Sequence, residues 1–424
     1  MIKSETSTNH IGVIENLKKV LIIGGGASGL IAAIAAAEQG AKVTLLEKNK
    51  QTGKKLLVTG NGRCNFTNKD QKLEHYRSEA PEFVREALSQ FSMGDTVRFF
   101  EKLGIRVKDR NGYLYPASGQ AASIAEVLRL EALRQGVKLA CNTEVLEVHK
   151  KDGQFQVVTE GWTYEGDALI LACGSKAAPE TGTVGDGYRF AESFGHSVVT
   201  PLPALTGLCV SEKDCGKLTG VRTDAKATLT VEPEHAVYEE EGEIQFAAYG
   251  LSGIPVFQLS RYAARVLEHG GSCQVTLDLC PELAAEELEE ILKDKAEFIG
   301  ERSGTDVLLG MFPEKLSDVI LKRAGISMKK KSQEWKEADW NHLIGQIKKF
   351  TFHITRCRGY EQAQVCTGGV PLAELKNCSM ESAKVPGLYL CGELLDVDGA
   401  CGGYNLQWAW TSGYLAGNAA GSEE

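Results

Sequence analysis

Residues 20–47 read VLIIGGGASGLIAAIAAAEQGAKVTLLE. Val20 to Ile23 is a short β-branched and leucine run, the texture of a buried parallel strand. Gly24, Gly26 and Gly29 follow in G-x-G-x-x-G spacing. In that spacing the first glycine allows a tight turn. The second lets the backbone approach a pyrophosphate, and the third lets helix and strand pack closely. Leu30 to Gln39 is alanine-rich and helix-forming, and Gly40 is a natural stop. Ala41 to Leu46 reads as a second strand. Glu47 closes it, at the place where an acid accepts hydrogen bonds from a ribose. The strand, turn, helix and terminal acid together predict a dinucleotide site, with Ala27 and Ser28 offering N–H groups at a positively polarised helix end. Glu47 would repel a ribose 2′-phosphate, so FAD or NAD suits the turn better than NADP. A membrane span is disfavoured, because Gly24 to Gly26 and the weakly apolar alanines interrupt the uncharged run.

The surrounding chain narrows the class. It has 424 residues, 47 basic and 56 acidic, for a net charge of −9. That length holds two or three domains and a sizeable core. Beyond Lys329–Lys331 there is no basic block, so nucleic-acid binding through a broad basic face is not expected. Residues 1–19 are polar and mixed and read as a flexible lead-in, without the cationic start and apolar centre of a secretory signal. The twelve cysteines show no C-x-x-C pair and complete no zinc pattern. Reduced thiols in a cytoplasmic protein are the natural reading.

Two further glycine-rich blocks carry chemistry. Thr59-Gly60-Asn61-Gly62-Arg63-Cys64-Asn65 combines unusual backbone freedom with a cation and two asparagines. It can run along a diphosphate towards a flavin ring. Near the C-terminus a strand runs into Cys391-Gly392-Glu393. Gly402-Gly403-Tyr404-Asn405-Leu406-Gln407 then opens the last helix. Aimed at a flavin, that helix end would stabilise negative charge on the reduced ring. One dinucleotide fingerprint implies one resident dinucleotide. NADH or NADPH would then bind only transiently, as electron donor.

These motifs give the chain a family resemblance. GGGASGL with LLEKN, TGNGRCNFTN, ILACGSKAAPETGTVGDG, YGLSGIPVFQLSR and PGLYLCGELLDVDGACGGYNLQWAWTSG stand in the order of the bacterial flavoproteins called HI0933-like or aminoacetone oxidase-like. This family of FAD-binding oxidoreductases includes bile-acid double-bond reductases. The resemblance implies an α/β, two-dinucleotide-binding-like FAD fold with an inserted β-barrel domain and a small helical domain. The expected FAD-binding domain is 20–195 with 352–424, the barrel insertion 196–281 and the helical insertion 282–351.

Carried over by position, Gly24, Gly26, Ala27, Ser28 and Gly29 would hold the diphosphate, and Glu47 and Lys48 the adenosine ribose. Gly60, Asn61, Gly62, Arg63, Cys64 and Asn65 would follow the diphosphate and ring. Val145 would offer backbone to adenine, and Ala172, Cys173 and Gly174 would line the cofactor. Gly392, Glu393 and Asp398, with Gly403, Tyr404, Asn405 and Leu406, would reach the ribityl chain and ring. The resemblance further implies NAD(P)H-driven reduction of a carbon–carbon double bond conjugated to a carbonyl, in a steroid or bile-acid-like small molecule. An amine or aminoketone oxidase and a non-catalytic or RNA-associated flavoprotein are the alternatives.

Such a reduction needs one proton delivered beside the hydride. Cys64, Tyr113, Tyr115, Tyr249, Arg356, Arg358 and Tyr404 are candidates near glycine-rich loops, with Tyr404 and Arg63 preferred for their place beside the expected ring. Many relatives read FTHYGLSGP where this chain has Phe246-Ala247-Ala248-Tyr249-Gly250-Leu251-Ser252-Gly253-Ile254. Any chemistry of that histidine must be done differently here.

Overall fold

The structure, a computed structural model, describes residues 17–422. Residues 1–16 of the expected lead-in lie outside the described residues, and Lys19 already opens the first strand.

Five parallel strands form the central sheet. Their order is Leu388–Leu390, Ala168–Leu171, Lys19–Ile23, Lys42–Leu46, Lys138–Ala140. The strand before the glycine turn is therefore central, with Val20 opposite Ala168 on one side and Val43 on the other. Its residues Val20 to Ile23 are all buried, as a strand covered on both faces requires. The helix Ala27–Glu38 follows, and the last helix, Tyr404–Gly421, lies along it.

Small residues on both helices let them come this close. A Cβ on Gly413 would lie 2.4 Å from the Ser28 carbonyl oxygen. One on Gly417 would lie 2.2 Å from that of Ala32, and one on Gly421 2.6 Å from that of Ala36. Two stripes of period four thus meet backbone to backbone. The contact holds the C-terminal helix against the helix that starts at the dinucleotide turn. Gly417→Ala is expected to cost about 1–3 kcal/mol through overpacking, read as a lowered urea midpoint.

The inserted region is a closed six-stranded barrel. Its strands are Leu208–Val210, Gly250–Ser252, Val237–Ala247, Arg222–Glu232, Ser272–Asp278 and Phe350–Cys357. Alternation governs them: Ala225, Ala227, Leu229 and Val231 point inward along one strand. Phe246, Phe350 and Phe352 meet inside. The helices Ala285–Ile299, Gly304–Leu308, Glu314–Arg323 and Glu337–Lys348 intervene before the last barrel strand. Arg323 from this helical part lies 4.1 Å and 4.6 Å from the Phe350 and Phe352 ring centroids, and Asp214 holds it by two bonds of 2.8 and 2.7 Å.

The barrel closes differently from the expected boundaries. A division at 351/352 cuts through Phe350–Cys357, which pairs with Ser272–Asp278 and Leu208–Val210. Conversely, Val199–Ala204 pairs outside the barrel with Val365–Gly369. The strand Val237–Ala247 and the helix Ile254–Glu268 are further elements of the insertion.

Candidate functional site

The chain turns sharply after Ile23. Gly24 has φ +105°, and a Cβ there would lie 2.4 Å from the Ala172 carbonyl oxygen. A Cβ on Gly29 would lie 1.9 Å from the Gly24 carbonyl oxygen. Gly29 is thus a packing residue that seats the helix on its own turn. A Cβ on Gly26 would meet nothing within 4 Å, because this glycine faces open space. The first intrahelical bond runs from Leu30 N–H to the Gly26 carbonyl. The Gly24 and Gly25 N–H groups go to the Leu46 carbonyl and Glu47 Oε2, while those of Ala27 to Gly29, in the first helical turn, have no intrahelical acceptor and suit an anion.

Glu47 locks the turn from the second strand. Its Oε2 accepts the Gly25 N–H at 2.8 Å, and its Oε1 accepts the backbone and side-chain N–H groups of Asn49 at 2.8 and 2.7 Å. The carboxylate retains one lone pair, on Oε2, for a further donor.

One cavity of ≈ 820 Å³ joins this turn to the two distant glycine blocks. Of the residues expected to hold the cofactor, Gly24, Gly26, Ala27, Ser28, Glu47, Lys48, Gly60, Asn61, Asn65, Val145, Ala172, Cys173, Gly174, Glu393, Gly403, Asn405 and Leu406 line it. The block after Thr59 bends through left-handed backbone: Gly60, Asn61, Gly62 and Cys64 have φ of 55°, 54°, 80° and 56°. It packs on the C-terminal block, where a Cβ on Gly403 would lie 2.7 Å from the Thr67 carbonyl carbon. Asn405 fixes that block by accepting the Gly399 N–H at 2.8 Å and donating to the Gly399 carbonyl at 2.9 Å.

The remaining expected residues lie off the cavity wall. Gly29 packs as described. Gly392 donates its N–H to Ser412 Oγ at 2.9 Å, which anchors the last helix. Asp398, 1% exposed, pairs with Arg261 at 2.8 Å instead of facing the cavity. Gly62 and Arg63 are exposed, while Cys64 is fully buried, and burial pushes its thiol up to about 12. The Tyr404 ring stacks on His75 at 4.6 Å and meets the edge of Tyr76 at 5.6 Å, under the loop that precedes the Pro81–Gln90 helix. Of the other proton-donor candidates, Tyr113 and Tyr115 do line the cavity. Ala248, at the position where the resemblance leads one to expect histidine, is exposed and off the wall.

Sequence reading missed several wall residues. Asn49, Lys54, Lys55 and Thr143 extend the nucleotide end, and Thr181 to Thr183 and Asp186 one side. Leu205, Ile254, Phe257 and Val365 make an apolar section contributed by the insertion and its connecting strands. The TGTVGD glycines could have signalled the side wall; Val365 carries no such signal.

The residues present fit an FAD. The open Gly26 face and free N–H groups suit a diphosphate, and Glu47 a ribose. Glu393 sends Oε2 to Lys55 at 2.6 Å, but its buried Oε1 has no hydrogen-bond partner among the described residues. A hydroxylated chain passing there would satisfy it. Among the described residues no cluster could hold a metal, and no helix is long and apolar enough to cross a membrane.

A second constellation resembles a hydrolytic triad but is sealed. His196 Nδ1 lies 2.7 Å from Glu374 Oε2, and Nε2 lies 2.8 Å from Ser382 Oγ. Ser382 Oγ accepts the N–H groups of Lys384 and Val385 at 3.0 and 2.9 Å, so its proton goes to His196. Ser382 is fully buried, which leaves the group a structural strut. Burial holds His196 below its ordinary 6.5. Burial also opposes ionisation of Glu374, but hydrogen bonds from Ser197, Lys384 and His196 outweigh it and hold the carboxyl at about 2. Both groups bind fewer protons folded than unfolded, so acid destabilises the strut. The urea midpoint is expected to fall as pH drops below 6.5 and again below 4.5. Glu374→Gln should shrink the lower step, which other carboxyls held low, such as Glu131, Asp214 and Glu381, also feed.

Comparison with known proteins agrees with this architecture. A family model described as HI0933-like protein Rossmann domain matches residues 18–419. A 3-dehydro-bile acid delta(4,6)-reductase from Clostridium scindens is 43% identical over 406 residues, covering 95% of this chain and 99% of that protein. A ribosomal RNA dihydrouridine synthase from Haemophilus influenzae is 32% identical over 401 residues, covering 93% and 96%. Among solved structures, a 3-ketosteroid delta1-dehydrogenase from Sterolibacterium denitrificans aligns over 96% of this chain and 99% of that one. Its TM-score of 0.48 and 13% identity carry no weight for substrate. The family match over nearly the whole chain, with the dinucleotide turn and the cavity it opens into, is decisive: the chain belongs to the HI0933-like family of FAD-binding oxidoreductases.

Proposed function

We propose that the chain reduces a carbon–carbon double bond conjugated to a carbonyl in a steroid- or bile-acid-like substrate, with electrons from NADH or NADPH. The observation that carries this reading is one continuous cavity, polar at the dinucleotide turn and apolar at Leu205, Ile254, Phe257 and Val365. The named activity of the 43% identical relative supports it. Bound FAD would supply the hydride.

The chain's own work is to hold the dinucleotide, present the substrate and provide a proton. Gly24, Gly26, Ala27, Ser28 and Glu47 would hold the ADP half. Gly60, Asn61 and Asn65, with Glu393, Gly403, Asn405 and Leu406, would hold the rest. The N-terminus of Tyr404–Gly421 favours negative charge at its end of the cavity. Tyr113 lines the cavity, and its phenol would be the proton donor. Its ring packs on the Gly402 backbone, where a Cβ would lie 2.7 Å from Tyr113 Cε1. Tyr113 is 39% exposed, so solvent can restore the proton.

Glu47→Ala removes the acceptor for Gly25 and Asn49 as well as the ribose contact. It is expected to weaken FAD binding about tenfold or more, measured by fluorescence titration. The electron donor is tested by mixing flavin-loaded protein anaerobically with NADH or NADPH. Bleaching of the flavin band is expected; its absence with both would overturn the nicotinamide part.

The rRNA dihydrouridine synthases among the relatives motivate a second reading, action on RNA. Two of the lysines on the cavity wall are engaged, Lys48 with Asp186 and Lys55 with Glu393. Together with the net charge of −9, this disfavours a polyanionic RNA backbone. Affinity for an rRNA fragment that is tight and falls steeply with salt would reverse the choice.

A further inference from the structure

The helix Ile254–Glu268 is the element by which the barrel reaches the cavity. It starts at Gly253, φ +106°, where a Cβ would lie 2.4 Å from the Glu243 carbonyl oxygen. Its first turn presents Ile254 and Phe257 to the cavity. Ile254 is 59% exposed, a large aliphatic side chain left more than half uncovered. Phe257 packs against the buried cluster of Ala204, Leu205 and Val365.

The same helix face is then clamped to the strand and turn that lead into the last helix. Gln258 Oε1 accepts the Cys401 N–H at 2.9 Å. Arg261 Nη2 donates to Asp398 Oδ1 at 2.8 Å and to Thr367 Oγ1 at 3.2 Å. Arg265 Nε donates to Thr367 Oγ1 at 3.0 Å, and its guanidinium lies 3.5 Å from Asp396 Oδ1. Residues 254, 257, 258, 261 and 265 follow helical spacing, so one face is apolar at the cavity and ionic behind it. The ionic part ties the apolar wall to residues 396–401, directly before Gly402 and Gly403 on the cofactor side.

We propose that Ile254 and Phe257 are the specificity-determining residues of this enzyme, and that they select a rigid, apolar, polycyclic carbonyl compound by lying against its flat face. This rests on the reductase reading above and names what it selects for. An aliphatic and an aromatic side chain offer dispersion and dehydration to a rigid ring system and no hydrogen bond to a nucleobase edge. Glu361 on the same cavity would repel a phosphodiester backbone.

The test uses the FAD-loaded enzyme and two substrates, an unsaturated steroid ketone and cyclohexenone. Ile254→Asp and Phe257→Ala are expected to raise KM for the steroid about 10–200-fold, with kcat changing far less, as for lost uniform binding. The ratio of kcat/KM for steroid over cyclohexenone should fall accordingly. Equal effects on both substrates, or none on the steroid, would overturn the assignment. Should Ile254→Asp fail to retain flavin, Ile254→Ala serves with the same criterion. Wild-type enzyme that reduces neither ketone defeats the reductase reading itself, before any variant is compared. Wild type that instead saturates uridine in an rRNA fragment, unaffected by Ile254→Asp, overturns the proposed selection.

Discussion

Tyr113→Phe is expected to lower the rate of substrate reduction by about 10²–10⁴-fold, the usual contribution of a positioned acid. The substitution deletes one oxygen and leaves the ring on Gly402, so binding of FAD and the folded state should persist. Reduction of the bound flavin by the electron donor requires no proton on the organic substrate. Rapid mixing should therefore show a normal reductive half-reaction and a slow oxidative one. Tyr113 earns this role by position: it lines the cavity, packs on the turn that opens the last helix and remains in contact with solvent. Tyr404, two residues beyond Gly402, has its ring between His75 and Tyr76. If both half-reactions slow together, or neither slows, the proton comes from elsewhere.

Arg261→Met is expected to destabilise the protein by about 3–5 kcal/mol, because it leaves the Asp398 carboxylate buried without its partner. Arg261 is 8% exposed and Asp398 1%, and two of their contacts are 2.8 Å long. The loss arises from desolvation of a charge that water cannot reach. Removing that charge as well should restore much of it, so Arg261→Met with Asp398→Asn is expected to be more stable than Arg261→Met alone. Thermal melting of the four proteins in a double-mutant cycle measures the coupling. Additive effects would show that the pair does not tie the insertion to the cofactor side.

What could be read from the chain beforehand was the local part. Gly24, Gly26, Gly29 and Glu47 declare themselves because turn, helix start and strand end are contiguous. Gly29 has the packing duty that its spacing predicts, while the diphosphate contact implied for it by the resemblance is not on the cavity wall. Asp398 sits in a glycine-rich block that invites a cofactor role, yet its partner Arg261 lies 137 residues away. Nothing local announces such a pair. The barrel boundary at 351/352 has the same cause: Phe350–Cys357 belongs with strands that precede the helical insertion, and only closure of the sheet reveals it. The Gly413, Gly417 and Gly421 stripe was visible in the sequence, but its meaning depends on the matching Ser28, Ala32 and Ala36 stripe on the first helix. The apolar wall at Leu205, Ile254, Phe257 and Val365 gathers four positions from three parts of the chain. Hence the polar end of the cavity, at the dinucleotide turn, was legible and its apolar end was not.

The most direct measurement is the anaerobic reoxidation of the reduced, FAD-loaded protein by an unsaturated steroid ketone, followed at the flavin band and by product mass. The expected result is recovery of the oxidised flavin spectrum on mixing and a product heavier by two hydrogens. A flavin that stays reduced with every conjugated ketone, while air and a small amine drive turnover with peroxide formed, would contradict it.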